Sequence, residues 1–121
     1  MATTTPQSRE LFAMTDSMDV DTLMSVFAED ARLVMGNGQP LVGLDEIRTG
    51  TATFFDTIAG LHHSIVTEWT FGSDTIVELK VTYDRKDGRR VTIPCVTIFH
   101  SDAVGKIDDY RVYFDVAPIY V

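Results

Sequence analysis

The chain is short of cysteine, of basic residues and of long apolar runs, and each shortage removes a class of function. One cysteine, Cys95, stands among 121 residues, so no internal disulfide and no cysteine-based zinc motif is available. Ten Lys and Arg face 18 Asp and Glu, a formal net charge of -8. Nucleic-acid binding rests on a Lys/Arg surface that neutralises phosphates, and an anionic membrane selects the same charge. Neither partner is expected. No run approaches the roughly 20 apolar residues of a transmembrane helix, and the Thr-rich start, Met1 to Pro6, lacks the basic-then-apolar layout of a signal peptide. An intracellular, cytoplasmic and reducing setting is the default reading. A glycine-rich phosphate loop is missing, and the three histidines show no metal spacing among the acids, so no cofactor and no metal are expected.

What is there suffices for a core: 45% of the residues are hydrophobic and 23% charged, over the length of one ordinary domain. Residues 1–7 read as a flexible tail and 8–121 as a single domain without repeat or linker. Leu11, Met14, Thr15 and Met18 recur at helical spacing, with Ser8 as N-cap. Asp19 caps a second helix whose stripe is Val20, Leu23, Met24 and Phe27. Ala31 to Met35 reads as a short strand, Gly36-Asn37-Gly38 as a turn, and Gln39 to Val42 as a brief returning strand. After Gly43, a third helix places Ile47, Thr51, Phe54, Phe55 and Ile58 on one face and stops at Gly60.

Beyond Gly60 the period changes to two. Ile65, Thr67, Trp69 and Phe71 alternate with polar neighbours, then Val77, Leu79, Val81 and Tyr83 with Glu78, Lys80 and Thr82. Turns at Gly72-Ser73-Asp74, Lys86-Asp87-Gly88 and Asp102 to Gly105 separate four long strands, too tightly for parallel crossovers. Pro94 marks an edge position or a bulge in the third of them. The fold class expected is α+β, with three N-terminal helices packed on a strongly curved antiparallel β-sheet, a cone-like α+β barrel with a pocket at its open end.

This order of elements, together with the segment FAEDARLVMGNGQPLVGLDEIR (Phe27 to Arg48), resembles the nuclear transport factor 2-like superfamily and its SnoaL-like branch. The closing DYRVYFDVAPIY (Asp109 to Tyr120) is similar to the last strand of limonene epoxide hydrolases. The superfamily includes isomerases, cyclases, dehydratases, epoxide hydrolases and non-catalytic binders, so the resemblance implies the fold and leaves the reaction open. Limonene epoxide hydrolases use an Arg and two Asp around a water, and those positions hold Glu78, Lys80 and Val112 here. Their Tyr and Asn positions hold Leu33 and Met35. The ketosteroid isomerase base also falls on Met35. Scytalone dehydratase and its relatives pair an Asp of the first helical segment with a His that opens the strand after the third helix. Asp16 matches that Asp, His62 lies at or beside that His, and Thr15 replaces the dehydratase's Tyr.

The resemblance thus implies an acid–base pair of Asp16 with His62 or His63. Alignment favours His62, whereas period two puts His63 in phase with the apolar Trp69 and Phe71. A carboxylate beside an imidazole orients the ring and raises its basicity. The plainer alternative is that Asp16 ends a helix and the histidines begin a surface strand. Glu78 and Lys80 share a strand face that the family alignment turns toward the pocket; the same alternation also describes a solvated face. Leu33, Met35, Phe54, Trp69, Val96, Val112 and Phe114 read as core or as the lining of a site for a small apolar molecule. Tyr110 and Tyr113 lie on opposite faces of the last strand, so at most one hydroxyl reaches the pocket. Cys95 reads as a small buried hydrophobe. The leading expectation is a cofactor-free isomerase, dehydratase or cyclase. The alternative is a ligand-binding or dimerising module that has lost catalysis. Surplus apolar residues on the outer sheet face predict a homodimer.

Overall fold

In the computed structural model, which describes residues 4–121, the Thr5 hydroxyl accepts the backbone N–H of Ser8 at 3.2 Å. Thr5 is therefore the first N-cap, and Pro6, whose missing N–H costs nothing at that position, opens helix α1 (Pro6–Asp16). Ser8 is buried inside the helix instead of capping it, and the helix starts within what the sequence reads as a tail. Residues 1–3 of that tail lie outside the described residues. Met18, at φ 58°, turns the chain out of α1. Asp19 then caps α2 (Val20–Met24), accepting the Thr22 N–H at 3.2 Å. This helix is shorter than its apolar stripe predicts. Phe27 leaves the helix to open β1 (Phe27–Met35), because pairing with Ile107 buries its ring in the core. A two-residue β2 (Leu41–Val42) and α3 (Leu44–Phe55) follow. α3 ends five residues before Gly60, which starts β3 instead.

The rest is a meander: β3 (Gly60–Phe71), β4 (Asp74–Asp84), β5 (Arg90–Ser101) and β6 (Ile107–Tyr113), with a short α4 (Ala117–Tyr120) at the end. The strand order is β2-β1-β6-β5-β4-β3. The meander pairs antiparallel throughout, but β1 lies parallel to β6, so the sheet has one parallel ladder that the sequence reading omits. The six strands form a curved, unclosed sheet. Register breaks in β3 between Ile65 and Thr67, in the β5–β6 ladder between His100 and Ser101, and in the β1–β6 ladder provide bends. Pro94 sits where β5 has a strand on one side only, since its β6 partners begin at Val96. That is the edge condition proline requires.

One sheet face carries Val77, Leu79, Val81, Tyr83, Ile93, Cys95 and Phe99, all buried, against Leu11 and Phe12 of α1, Leu23 and Met24 of α2, and Ile47 and Phe55 of α3. The bulge in β3 changes which side chains join them. Before it, Leu61, His63 and Ile65 point inward; after it Glu68 does, and Trp69 and Phe71 turn to solvent. Among the described residues, no helix is long and apolar enough to cross a membrane.

Candidate active site

Asp16 is the last residue of α1, and the opening of β3 passes directly over it. One carboxylate oxygen accepts the His63 backbone N–H at 2.9 Å, and the other lies 2.6 Å from His63 Nδ1. This two-point grip aligns the ring with the end of the helix, and in a neutral imidazole such a contact puts the proton on Nδ1. Nε2 is then the lone-pair nitrogen, with no hydrogen-bond partner among the described residues. Phe12, one turn earlier in α1, stacks on the imidazole with centroids 5.0 Å apart and planes 22° from parallel. The His63 side chain is 8% exposed and that of Asp16 19%. His62 Nδ1 approaches Asp16 at 3.5 Å from the outside, its side chain 73% exposed. Adjacent strand residues face opposite ways, and the inward one is His63.

His63 opens on an inner cavity of about 60 Å³. Six of the residues anticipated as its lining are there: Leu33, Met35, Phe54, Tyr110, Val112 and Phe114. Thr15, Thr51, Leu61, Tyr83, Cys95 and Thr97 also line it and were not anticipated as site residues. Burial pushes the Tyr83 and Tyr110 hydroxyls above the ordinary phenol range, so both stay neutral donors. Burial likewise raises the Cys95 thiol to about 11, against the opposing hydrogen bond from Thr97, which leaves it protonated and unreactive.

Four anticipated residues are elsewhere. Glu78 and Lys80 are exposed on the outer face, because the buried row Val77, Leu79, Val81, Tyr83 fixes the phase of β4. Val96 pairs with Glu78 and Tyr113 on that same outer face. Trp69 is 45% exposed, turned outward by the β3 bulge. Tyr113 is exposed where Tyr110 is buried, as their opposite strand faces require. Tyr83 had a sequence signal, since it alternates in phase with three buried aliphatics. Choosing the polar face of β4 for the pocket hid it.

A family model described as a SnoaL-like domain matches residues 8–110. None of the curated proteins matches the sequence. Among solved structures, the chain is similar to a hypothetical protein with a ketosteroid isomerase-like fold from Catenulispora acidiphila DSM 44928, in complex with trimethylamine. That match has 19% identity and a TM-score of 0.85, covering 96% of this chain and 91% of the other. A putative SnoaL-like polyketide cyclase from Jannaschia sp. CCS1 shows 17% identity and a TM-score of 0.80, over 98% and 94%. An LEH-like epoxide hydrolase from M. tuberculosis shows 19% and 0.76, over 94% and 84%.

Proposed function

The chain belongs to the SnoaL-like domain family, and from that premise we propose that it is a cofactor-independent acid–base enzyme acting on a small, largely apolar molecule. The reaction is an isomerisation, elimination or cyclisation, and the setting is the reducing cytoplasm. The observation that carries this reading is the Asp16–His63 pair, with its 2.6 Å contact, its second contact to the backbone N–H and a shielded ring facing a mostly apolar cavity.

Neutral His63 takes a proton from carbon or oxygen of the substrate at Nε2. The imidazolium formed is stabilised by ionised Asp16, and the same proton is then returned to another atom or to the leaving group. Negative charge grows on the substrate as the proton leaves. In this reading the neutral hydroxyls of Tyr83 and Tyr110, two residues that line the same cavity, donate to an oxygen that carries it. Epoxide opening of the limonene type is not proposed: Glu78 and Lys80 point away from the cavity, and Val112 offers no carboxylate.

The test is proton exchange from D₂O into a panel of small apolar ketones and hydroxyketones, followed by NMR. His63→Gln should lose the exchange that the wild type catalyses by a factor on the order of 10²–10⁴, and His62→Gln should keep most of it. Equal rates in both variants and the wild type would sink the assignment. A second reading, a ligand-binding or dimerising module, draws support from the small volume of the inner cavity. Binding of panel members without exchange of any of them would favour it.

A further inference from the structure

An apolar cavity that accepts benzene measures roughly 150 Å³. At about 60 Å³, the chamber beside His63 does not seat a ring. Against it lies an open cleft of about 420 Å³, within the range of ordinary small-molecule sites. Met35, Phe54 and Phe114 line both spaces and so form the partition between them. The Phe54 and Phe114 rings meet at 61° with centroids 6.5 Å apart. Beyond them the cleft runs between the Gly36-Asn37-Gly38 turn and α4.

The outer wall of this cleft is tied down. Tyr120 and Thr57 share a hydrogen bond of 2.8 Å between their hydroxyls, and Arg85 donates to the carbonyls of Pro118, at 3.1 Å, and Val121. Met35, Phe54 and Phe114 stand between this cleft and the chamber that His63 lines. Asp115 on the rim adds negative charge to an already acidic chain, which disfavours an anionic occupant.

We infer that the substrate is bipartite: a narrow, oxygen-bearing head passes the Phe54–Phe114 partition to reach His63, and a neutral, ring-bearing apolar body stays in the outer cleft. The inference deepens the acid–base reading and rests on it only for the identity of the reacting end. The two-chamber arrangement stands on volumes and shared side chains.

The experiment is an amide NMR titration of the whole chain with three probes: 4-phenylbutan-2-one, butan-2-one and benzene. 4-Phenylbutan-2-one should shift the amides of both His63 and Thr97 inside and Gly36 and Gly38 outside. Butan-2-one, lacking the body, should bind at least tenfold more weakly. Benzene should leave His63 and Thr97 unmoved in the wild type and shift them in Phe114→Ala, or in Phe114→Leu if the alanine variant does not fold. Two outcomes overturn the inference: benzene entering the wild-type inner chamber, or 4-phenylbutan-2-one leaving Gly36 and Gly38 undisturbed. His63→Gln separates this inference from the function it rests on. If proton exchange survives that substitution while the two-chamber shifts persist, the acid–base assignment fails and the bipartite site stands.

Discussion

At the scale of residues, the molecule holds two His–Asp contacts of the same length, and their surroundings separate them. His100 Nδ1 lies 2.6 Å from Asp108, as His63 does from Asp16, but the His100 side chain is 41% exposed at the rim of the sheet. The Asp108 hydrogen bond, aided by the charges of Asp108, Asp74 and Asp109, raises the His100 pKa above its ordinary value of 6.5. Its contribution to folding is thus complete below about pH 6.5 and lost as pH rises through the higher folded value. A proton NMR titration should place the His100 midpoint above 6.5, and Asp108→Asn should bring it down toward 6.5. An unchanged midpoint in that variant would show that the contact does not hold the proton. Sequence alone led to Asp16 through a family pattern, yet it left His62 and His63 open. Strand phase chose between them, and strand phase was the quantity the sequence obscured.

At the scale of elements, the reason is a single inserted residue. Continuous alternation from His63 to Phe71 puts His63 on the face of Trp69, and that reading makes Trp69 a pocket residue. The bulge at Val66 breaks the alternation, so His63 faces the cavity while Trp69 faces out. The starts of α2 and α3 and the four long strands were legible, because the Asp19 cap, the Gly43 break and period two are local signals, whereas α1 starts earlier than expected, capped by Thr5 and not by Ser8. The early end of α2, the parallel β1–β6 ladder and the phase of β4 were not, because each depends on a partner distant in sequence. Gly43 shows what the local signal does carry. It joins β2 to α3 at φ 87° and ψ 158°, a conformation reserved for glycine, while its N–H donates to the Ala31 carbonyl at 2.8 Å. A Cβ there meets no atom closer than 3.8 Å, so the cost of Gly43→Ala is backbone strain alone. Urea unfolding should show a loss of about 1–3 kcal/mol. A loss below a few tenths would mean the junction relaxes.

At the scale of the whole molecule, the outer face of the sheet remains to be covered. Trp69, Phe71 and Tyr113 stand there exposed, with Val66 at the bulge and partly buried Ile76, Ile98 and Val96 between them. We propose that a second copy of the chain packs on this face, bringing the apolar rows of two sheets together. Lys80 and Arg111 share the surface with Glu78 and Asp109, so two copies meet with both signs of charge present despite the net -8. Sedimentation at micromolar concentration should give twice the chain mass of 13.5 kDa, and Trp69→Lys should halve it. A monomer in the wild type would remove the proposal. Neither result bears on the cavity, whose lining residues all come from one chain.

The central claim is that Asp16 and His63 move protons as one unit, and a double-mutant cycle on the exchange rate tests it most directly. Asn at position 16 still accepts the His63 backbone N–H but no longer fixes the Nδ1 proton or balances an imidazolium. Asp16→Asn and His63→Gln should each lower exchange by a factor on the order of 10²–10⁴, and the double variant should be no slower than the worse single one. Wild-type rates in either single variant, or losses that multiply in the double, would contradict the account.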